Sequence, residues 1–190
     1  SYNTPHSPMQ VPDKYSIEKK VILKGRYSER ENVEKTKAAL GMIENIDENV
    51  GKIIKILKEI DKYENTIIIF LSDNGPNGNR WNNELKERKG STNEGGVRVP
   101  FFIQWPIKIK PGIKIKQVTS ALDVFPTLTD LIDSPTGINF DGISFKKYIE
   151  NPDLFVNYGK HLANPINPNI FNQPKLLIRE AGSRITATYD

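Results

Sequence analysis

The sequence predicts an α/β fold in which a sheet is covered by helices, and three stretches carry that expectation. From about residue 30 to residue 60, Ile43, Ile46, Val50, Ile53, Ile54, Leu57 and Ile60 recur three and four apart, the stripe of a long amphipathic helix. Residues 67–71, Ile-Ile-Ile-Phe-Leu, form a continuous apolar run too short for a typical helix and rich in β-branched side chains. Such a run is expected as a strand buried on both faces of a parallel sheet. Residues 101–105, Phe-Phe-Ile-Gln-Trp, make a second apolar strand that Pro106 closes. A helix followed by a buried strand is half of a βαβ unit.

At 190 residues the chain is long enough for one domain or for part of a larger one. A composition of 37% hydrophobic and 26% charged residues fits a wet surface around a modest core. The net charge of +4 comes from lysines scattered along the expected helices and strands. Scattered charge describes solvated faces, so nucleic acid is not expected as a partner, and no membrane segment is expected. No zinc-ligand spacing, RNA-binding signature or apolar run of about 18 residues occurs. The absence of cysteine excludes disulfides and thiolate chemistry without fixing the compartment. Ser1-Tyr2-Asn3-Thr4 has neither an initiating Met nor the basic-then-apolar form of a signal peptide, so the chain is expected to begin in mid-domain.

Taken in order, residues 1–15 are expected as loop because Pro5, Pro8 and Pro12 deny the segment regular hydrogen bonding. His6 stands between two prolines, a rigid and extended setting; on composition alone it is a solvated surface group. Within the long helix, Gly41 marks a bend or a close contact, and residues 61–65 connect to the 67–71 strand. The stripe itself is expected to be core. Residues 108–118 alternate Lys with Ile around Pro111-Gly112, which reads as a turn and a half-buried strand with Lys114 and Lys116 on the wet side. A second helix is expected to start near Ser120 or Asp123, with Val124, Leu128, Leu131 and Ile132 as its apolar face. Beyond about residue 150 the chain turns rich in Pro and Asn. There two short strands, at residues 176–178 and 185–188, are expected to begin a smaller C-terminal α+β region. His161 reads as a loop surface residue.

The chemistry concentrates at the end of the first strand. Asp73 and Asn74 follow Ser72 and precede Gly75-Pro76. Ligands in open α/β sheets bind beyond the carboxyl ends of strands, and a carboxylate beside an amide oxygen suits a hard cation. The same four residues are also ordinary turn chemistry. Downstream, Lys89-Gly90-Ser91-Thr92 and Glu94-Gly95-Gly96-Val97-Arg98 crowd cations, hydroxyls and glycines into a short stretch. The glycines would let backbone N–H groups approach an anion, with Lys89 as a point charge. The order Lys-Gly-Ser, with Glu84 in place of the first glycine, is not a Walker A loop.

SDNGPNGNRWN followed by KGSTNEGGVRVPFFIQWP resembles the C-terminal part of the catalytic domain of formylglycine-dependent sulfatases, the arylsulfatase family of the alkaline-phosphatase-like superfold. Order and separation of the two motifs both match, which is more specific than either alone. PHSPMQVPDKY, IENIDENVGKII, SALDVFPTLTDLID and DGISF resemble further family segments, the last with Phe145 where Leu is usual. The likeness covers residues 1–150, which are read as the downstream part of the catalytic domain, with 151–190 as a tail and the start of a C-terminal subdomain. It implies hydrolysis of a sulfate ester, of an aryl or carbohydrate alcohol, to the alcohol and inorganic sulfate. It also implies one calcium ion held by Asp73 and Asn74, Lys89 on the sulfate, and His6 at the bridging or leaving oxygen. Arg98 and Glu94 would support the loop. A periplasmic or secreted setting is implied as well.

Two family features are missing from the chain. No Cys occurs and no Ser opens the Cys/Ser-x-Pro-x-Arg pattern that yields formylglycine, and the paired Asp residues that complete the calcium site are absent. The chain is therefore expected to be the downstream part of a longer enzyme and inactive by itself. Two alternatives stay open. One is another metal-dependent phospho- or phosphonohydrolase of the same superfold, although only two His occur. The other is a non-catalytic relative that binds anionic glycans.

Overall fold

The structure, a computed structural model, describes residues 2–15, 28–152 and 178–179. The chain divides into two compact units. The first holds Ser1–Thr66 and Pro76–Glu84, and the second Ile67–Gly75 and Leu85–Asp190.

The first unit is built on helix α1, Val33–Glu59. Asn32 caps it, its side-chain oxygen accepting from the Lys35 N–H at 2.9 Å, which satisfies one of the first-turn donors. Thr36, Ala39, Met42 and Ile46, three or four apart, are the buried face. Gly41 is a close contact and not a bend: a Cβ there would lie 2.3 Å from the Tyr15 carbonyl oxygen. Tyr15 ends a short 3-10 turn, Asp13–Tyr15. Its hydroxyl donates to Glu48 Oε2 at 2.7 Å, and the Lys14 ammonium donates to the same carboxylate at 2.9 Å. With Lys52 also on Glu48, these three donors pull its pKa down to about 2, the Lys52 hydrogen bond being the largest cause.

The helix therefore lies where periodicity put it, but the buried face differs from the expected stripe. Ile46 is buried, Val50, Ile54 and Leu57 are half-buried, and Ile43, Ile53 and Ile60 are exposed. The turn around Tyr15 covers only the first half of the helix, along a line of small residues that a hydrophobic count overlooks. Apolar spacing reports which side chains share a face; burial needs a partner.

In the second unit, strand β1 is Ile68–Leu71; a four-residue helix α2, Glu94–Val97, leads into β2, Arg98–Val99, and β3, Phe101–Gln104. β1 pairs with β3 antiparallel, Ile68 opposite Gln104 and Leu71 opposite Phe101. This corrects the expectation of a parallel pair buried on both faces, since β1 is half-buried with Leu71 exposed. A run of consecutive apolar residues speaks to burial but carries nothing about the direction of its neighbour. β2 pairs antiparallel with β4, Ile178–Arg179, so part of the first expected tail strand is paired. The second, at residues 185–188, and His161 lie outside the described residues.

The core of this unit gathers Val99, Phe101, Trp105, Ile109, Ile115, Leu131, Phe145 and Ile149. Phe101 and Phe145 meet edge to face at 6.0 Å. Within the expected 108–118 strand Ile115 and Gln117 are buried and Lys116 is exposed, but Lys114 is half-buried and no strand forms there among the described residues. The second helix starts as expected. Ser120 and Asp123 form a capping box ahead of α3, Val124–Leu131. Asp123 also receives the Ile143 N–H at 2.7 Å, and the Thr127 hydroxyl receives the Phe145 N–H at 2.9 Å. Together they fasten the Asp141-Gly142-Ile143-Ser144-Phe145 segment, which leads into α4, Lys146–Glu150. Gly142 is required there, because a Cβ would sit 2.1 Å from the Leu122 oxygen.

Candidate active site

The turn at the carboxyl end of β1 is assembled by backbone. Ser72 N–H donates to the Pro100 oxygen at 3.3 Å and continues the pairing toward β3. Asn74 N–H then donates to its neighbour's Asp73 Oδ1 at 2.8 Å, which fixes the carboxylate over the turn. Gly75 N–H donates to the Gly96 oxygen at 2.9 Å. This last bond joins the two motifs that stand about twenty residues apart in the chain. The approach is close: a Cβ on Gly75 would lie 1.8 Å from the Gly95 oxygen.

The glycines serve that approach. Gly95 N–H donates to the Lys86 oxygen and Gly96 N–H to the Asn93 oxygen, both at 2.8 Å. A Cβ on Gly96 would collide with the Ser91 oxygen at 2.2 Å. Their amides are thus engaged within the loop and do not form the anion cradle that glycine content suggested. That content reflects backbone packed on backbone, which sequence cannot distinguish from backbone held open for a ligand.

Lys89 occupies the tip of a turn closed by Ser91 N–H on the Arg88 oxygen at 3.1 Å. Gly90 follows with φ +89°, the conformation that the third residue of a type II turn requires. The Lys89 side chain is exposed. Arg98 and Glu94 form an ion pair at 3.7 Å, the Arg98 side chain only 9% exposed, so α2 is braced across one turn. Asp73 is exposed and Asn74 half-buried.

His6 belongs to the first unit, and its setting is a turn and not the extended segment expected: its N–H donates to the Asn3 oxygen at 3.0 Å. Two flanking prolines fix their own φ but leave the intervening chain free to reverse. His6 is exposed, and Nδ1 lies 2.9 Å from the Ser7 oxygen. A carbonyl oxygen only accepts, so Nδ1 carries the proton in this contact and Nε2 presents the other ring position.

The donor chemistry at 73–74 fits a hard cation. Asp73 Oδ2 and the Asn74 amide oxygen are hard oxygen donors on adjacent residues, and Asp73 Oδ1 is already oriented by the Asn74 N–H. Calcium takes about 6–8 oxygens, so two side chains are a partial set. Among the described residues no cluster of three or more His, Asp or Glu forms around a common point. Sequence reading missed Asp123, whose two carboxylate oxygens each take a backbone N–H; the Ser-x-x-Asp spacing of a capping box was its available signal.

The chain is 30% identical over 156 residues to the uncharacterized sulfatase YdeN of Escherichia coli K12, an alignment covering 80% of this chain and 26% of YdeN. It is 30% identical over 162 residues to the ulvan-active sulfatase of Formosa agariphila, covering 81% of this chain and 30% of that protein. Among solved structures it resembles Ps i-CgsB, crystallised in complex with k-i-k-neocarrahexaose, with a TM-score of 0.63 and 34% identity. That match covers 77% of this chain and 32% of Ps i-CgsB, and it bears out an α/β architecture. The chain thus spans less than a third of each of these relatives. The Sulfatase family model matches residues 1–134, and the chain belongs to the sulfatase family.

Proposed function

We propose that this chain is the downstream part of a sulfatase catalytic domain, which hydrolyses sulfate esters to an alcohol and inorganic sulfate. The observation that carries the reading is the Gly75–Gly96 bond, which ties the Asp73-Asn74 turn to the loop that follows Lys89. Asp73 and Asn74 hold one calcium ion, completed by residues outside this chain. Bound there, calcium would supply positive charge toward the sulfuryl group of the ester. Lys89 adds a compact positive charge to the same group from an exposed turn tip, where no other partner competes for it among the described residues. His6 acts at the bridging oxygen through Nε2, its orientation set by the Ser7 carbonyl, and assists proton transfer there. The nucleophile, a formylglycine, lies outside the chain. The ester's alcohol is an aryl or a carbohydrate hydroxyl, since relatives are named both as arylsulfatase and for activity on ulvan. A periplasmic or secreted enzyme suits such substrates.

Asp73→Ala and Lys89→Ala, made in a protein that also supplies the nucleophile, test the reading. Asp73→Ala is expected to abolish calcium binding by calorimetry. Lys89→Ala should leave calcium affinity intact while lowering kcat/KM by about 2–4 kcal/mol for every sulfate ester, whatever its alcohol. Unchanged calcium affinity in Asp73→Ala would return residues 73–76 to a plain turn. Loss of one substrate with the others kept would mean that Lys89 reads the leaving group.

A further inference from the structure

Asn-Gly occurs twice in the chain, at Asn74-Gly75 and at Asn77-Gly78, and the two copies lie in unlike surroundings. The dipeptide has a chemistry of its own. The backbone nitrogen that follows an asparagine can attack that residue's side-chain carbonyl carbon, closing an unstrained five-membered ring. Glycine in the following position removes the Cβ that otherwise obstructs the approach. Every other asparagine in the chain is followed by a residue with a side chain. In the first copy the attacking atom is engaged. Gly75 N–H donates to the Gly96 oxygen at 2.9 Å, so its nitrogen must break that bond before it can react. Gly75 is buried, and a Cβ there would meet backbone, the Gly95 oxygen at 1.8 Å. Asn74 is half-buried, with its own N–H held by Asp73 Oδ1 at 2.8 Å. Rotation at Gly75 therefore has to part the turn from the Gly95-Gly96 loop.

The second copy lacks each of these restraints. Neither the Gly78 N–H nor the Asn77 side-chain amide makes a hydrogen bond among the described residues. Asn77 is exposed. The atoms nearest to a Cβ on Gly78 would all belong to the Arg80 guanidinium, at 3.6 Å and beyond, the far end of a flexible side chain. Residues 77–79 form bends and belong to no helix or strand, so no ladder of hydrogen bonds opposes the rotation that ring closure needs. The segment is anchored beyond the dipeptide, where Asn79 Nδ2 donates to the Arg30 oxygen at 2.8 Å. The same dipeptide is thus locked in one place and open in the other.

We propose that Asn77 is a site of spontaneous modification, where the Gly78 nitrogen converts the asparagine through a succinimide into aspartate and isoaspartate. The bond that forms joins Gly78 N to Asn77 Cγ, and the bond that breaks joins Cγ to Nδ2. The Gly78 amide proton goes to hydroxide, and Nδ2 departs as ammonia with a proton taken from water. Water then opens the ring. Cleavage at Cγ gives aspartate, whereas cleavage at the main-chain carbonyl leaves the peptide running through Cγ, with one more methylene in the backbone. Each event takes up one water, releases one ammonia and lowers the net charge of +4 by one. The new carboxylate falls in residues 76–84, the stretch that joins the two motifs. Ageing the full chain in mildly alkaline buffer, made with water enriched in heavy oxygen, tests the proposal. Peptide mass spectrometry with fragmentation that separates isoaspartate from aspartate is expected to find the heavy oxygen at residue 77. Asn74 should convert about tenfold more slowly, the ratio that ~1.4 kcal/mol of local opening imposes. In urea the two rates should converge, because both asparagines then precede an unrestrained glycine. Asn77→Gln should hold the charge constant by ion exchange over the same period. Equal rates at Asn74 and Asn77 in the folded protein would overturn the proposal, as would an Asn77 that stays intact when folded yet reacts in urea. An undiminished charge change in Asn77→Gln would overturn it too.

Discussion

Replacing Gly75 by Ala is the most direct probe of how the two motifs are held together. An added Cβ would stand 1.8 Å from the Gly95 oxygen, 2.9 Å from the Gly95 carbonyl carbon and 3.2 Å from the Gly96 Cα. To reach even 3.0 Å from that oxygen, the turn and the loop must part by at least 1.2 Å (3.0 minus 1.8). The obstacle is backbone on both sides, so no side chain can rotate out of the way. A 2.9 Å hydrogen bond from Gly75 N–H to the Gly96 oxygen cannot survive such a parting. Its loss costs about 1 kcal/mol, and the overpacking about 1–3 kcal/mol more. The expected destabilisation is about 2–4 kcal/mol, or a fall in Tm of about 4–16 °C at ~2–4 °C per kcal/mol for a chain of this size. Thermal unfolding followed by circular dichroism measures the shift, and amide exchange at Gly75 locates it. Gly51→Ala is the matching control. Gly51 lies inside α1 with nothing within 4 Å of a new Cβ, so the same chemical change should stabilise by about 0.5–1 kcal/mol. Should Gly75→Ala melt with the parent protein and keep its amide protected, the close approach of the two motifs is not real.

Two further outcomes follow from the packing around the site and the helix. Asp123→Ala removes the acceptor of both the Ser120 and Ile143 N–H groups, bonds of 2.6 and 2.7 Å, and should cost about 2–4 kcal/mol by urea denaturation. Amide exchange should then rise at Ile143 while β1 stays protected. Glu48 sets an acid limit on the turn at Tyr15. Its folded pKa of about 2 lies below its ordinary 4.5, so its contribution is complete above about pH 4.5 and is lost as pH falls through about 2. Lys14, raised above 10.5 first by its bond with Tyr15 and then by Glu48, loses its part as pH rises through that raised value. Amide exchange of Tyr15 measured across both windows should show protection between them and loss at each end. A Tyr15 amide equally protected at pH 2 would mean that the carboxylate does not hold the turn.

Sequence alone determined the main elements and the family to which its motifs point. The periodic helix, the two apolar strands, the helix start near Ser120 and the paired motifs are local signals, each written in spacing or residue type. Tertiary structure decided everything that depends on a partner. β1 and β3 run antiparallel although their apolar runs say only that both are covered, because strand direction is set by how the chain returns. The long helix buries Thr36, Ala39 and Met42 against the Tyr15 turn and leaves Ile43 and Ile53 exposed, because burial belongs to a pair of surfaces and periodicity describes one. Gly95 and Gly96 admit a neighbouring backbone where sequence suggested an anion, since a missing side chain looks the same whichever group fills its space. Trp81, adjacent in sequence to motif residues and indistinguishable there from a core aromatic, is set apart from Trp105 only by the water that reaches it.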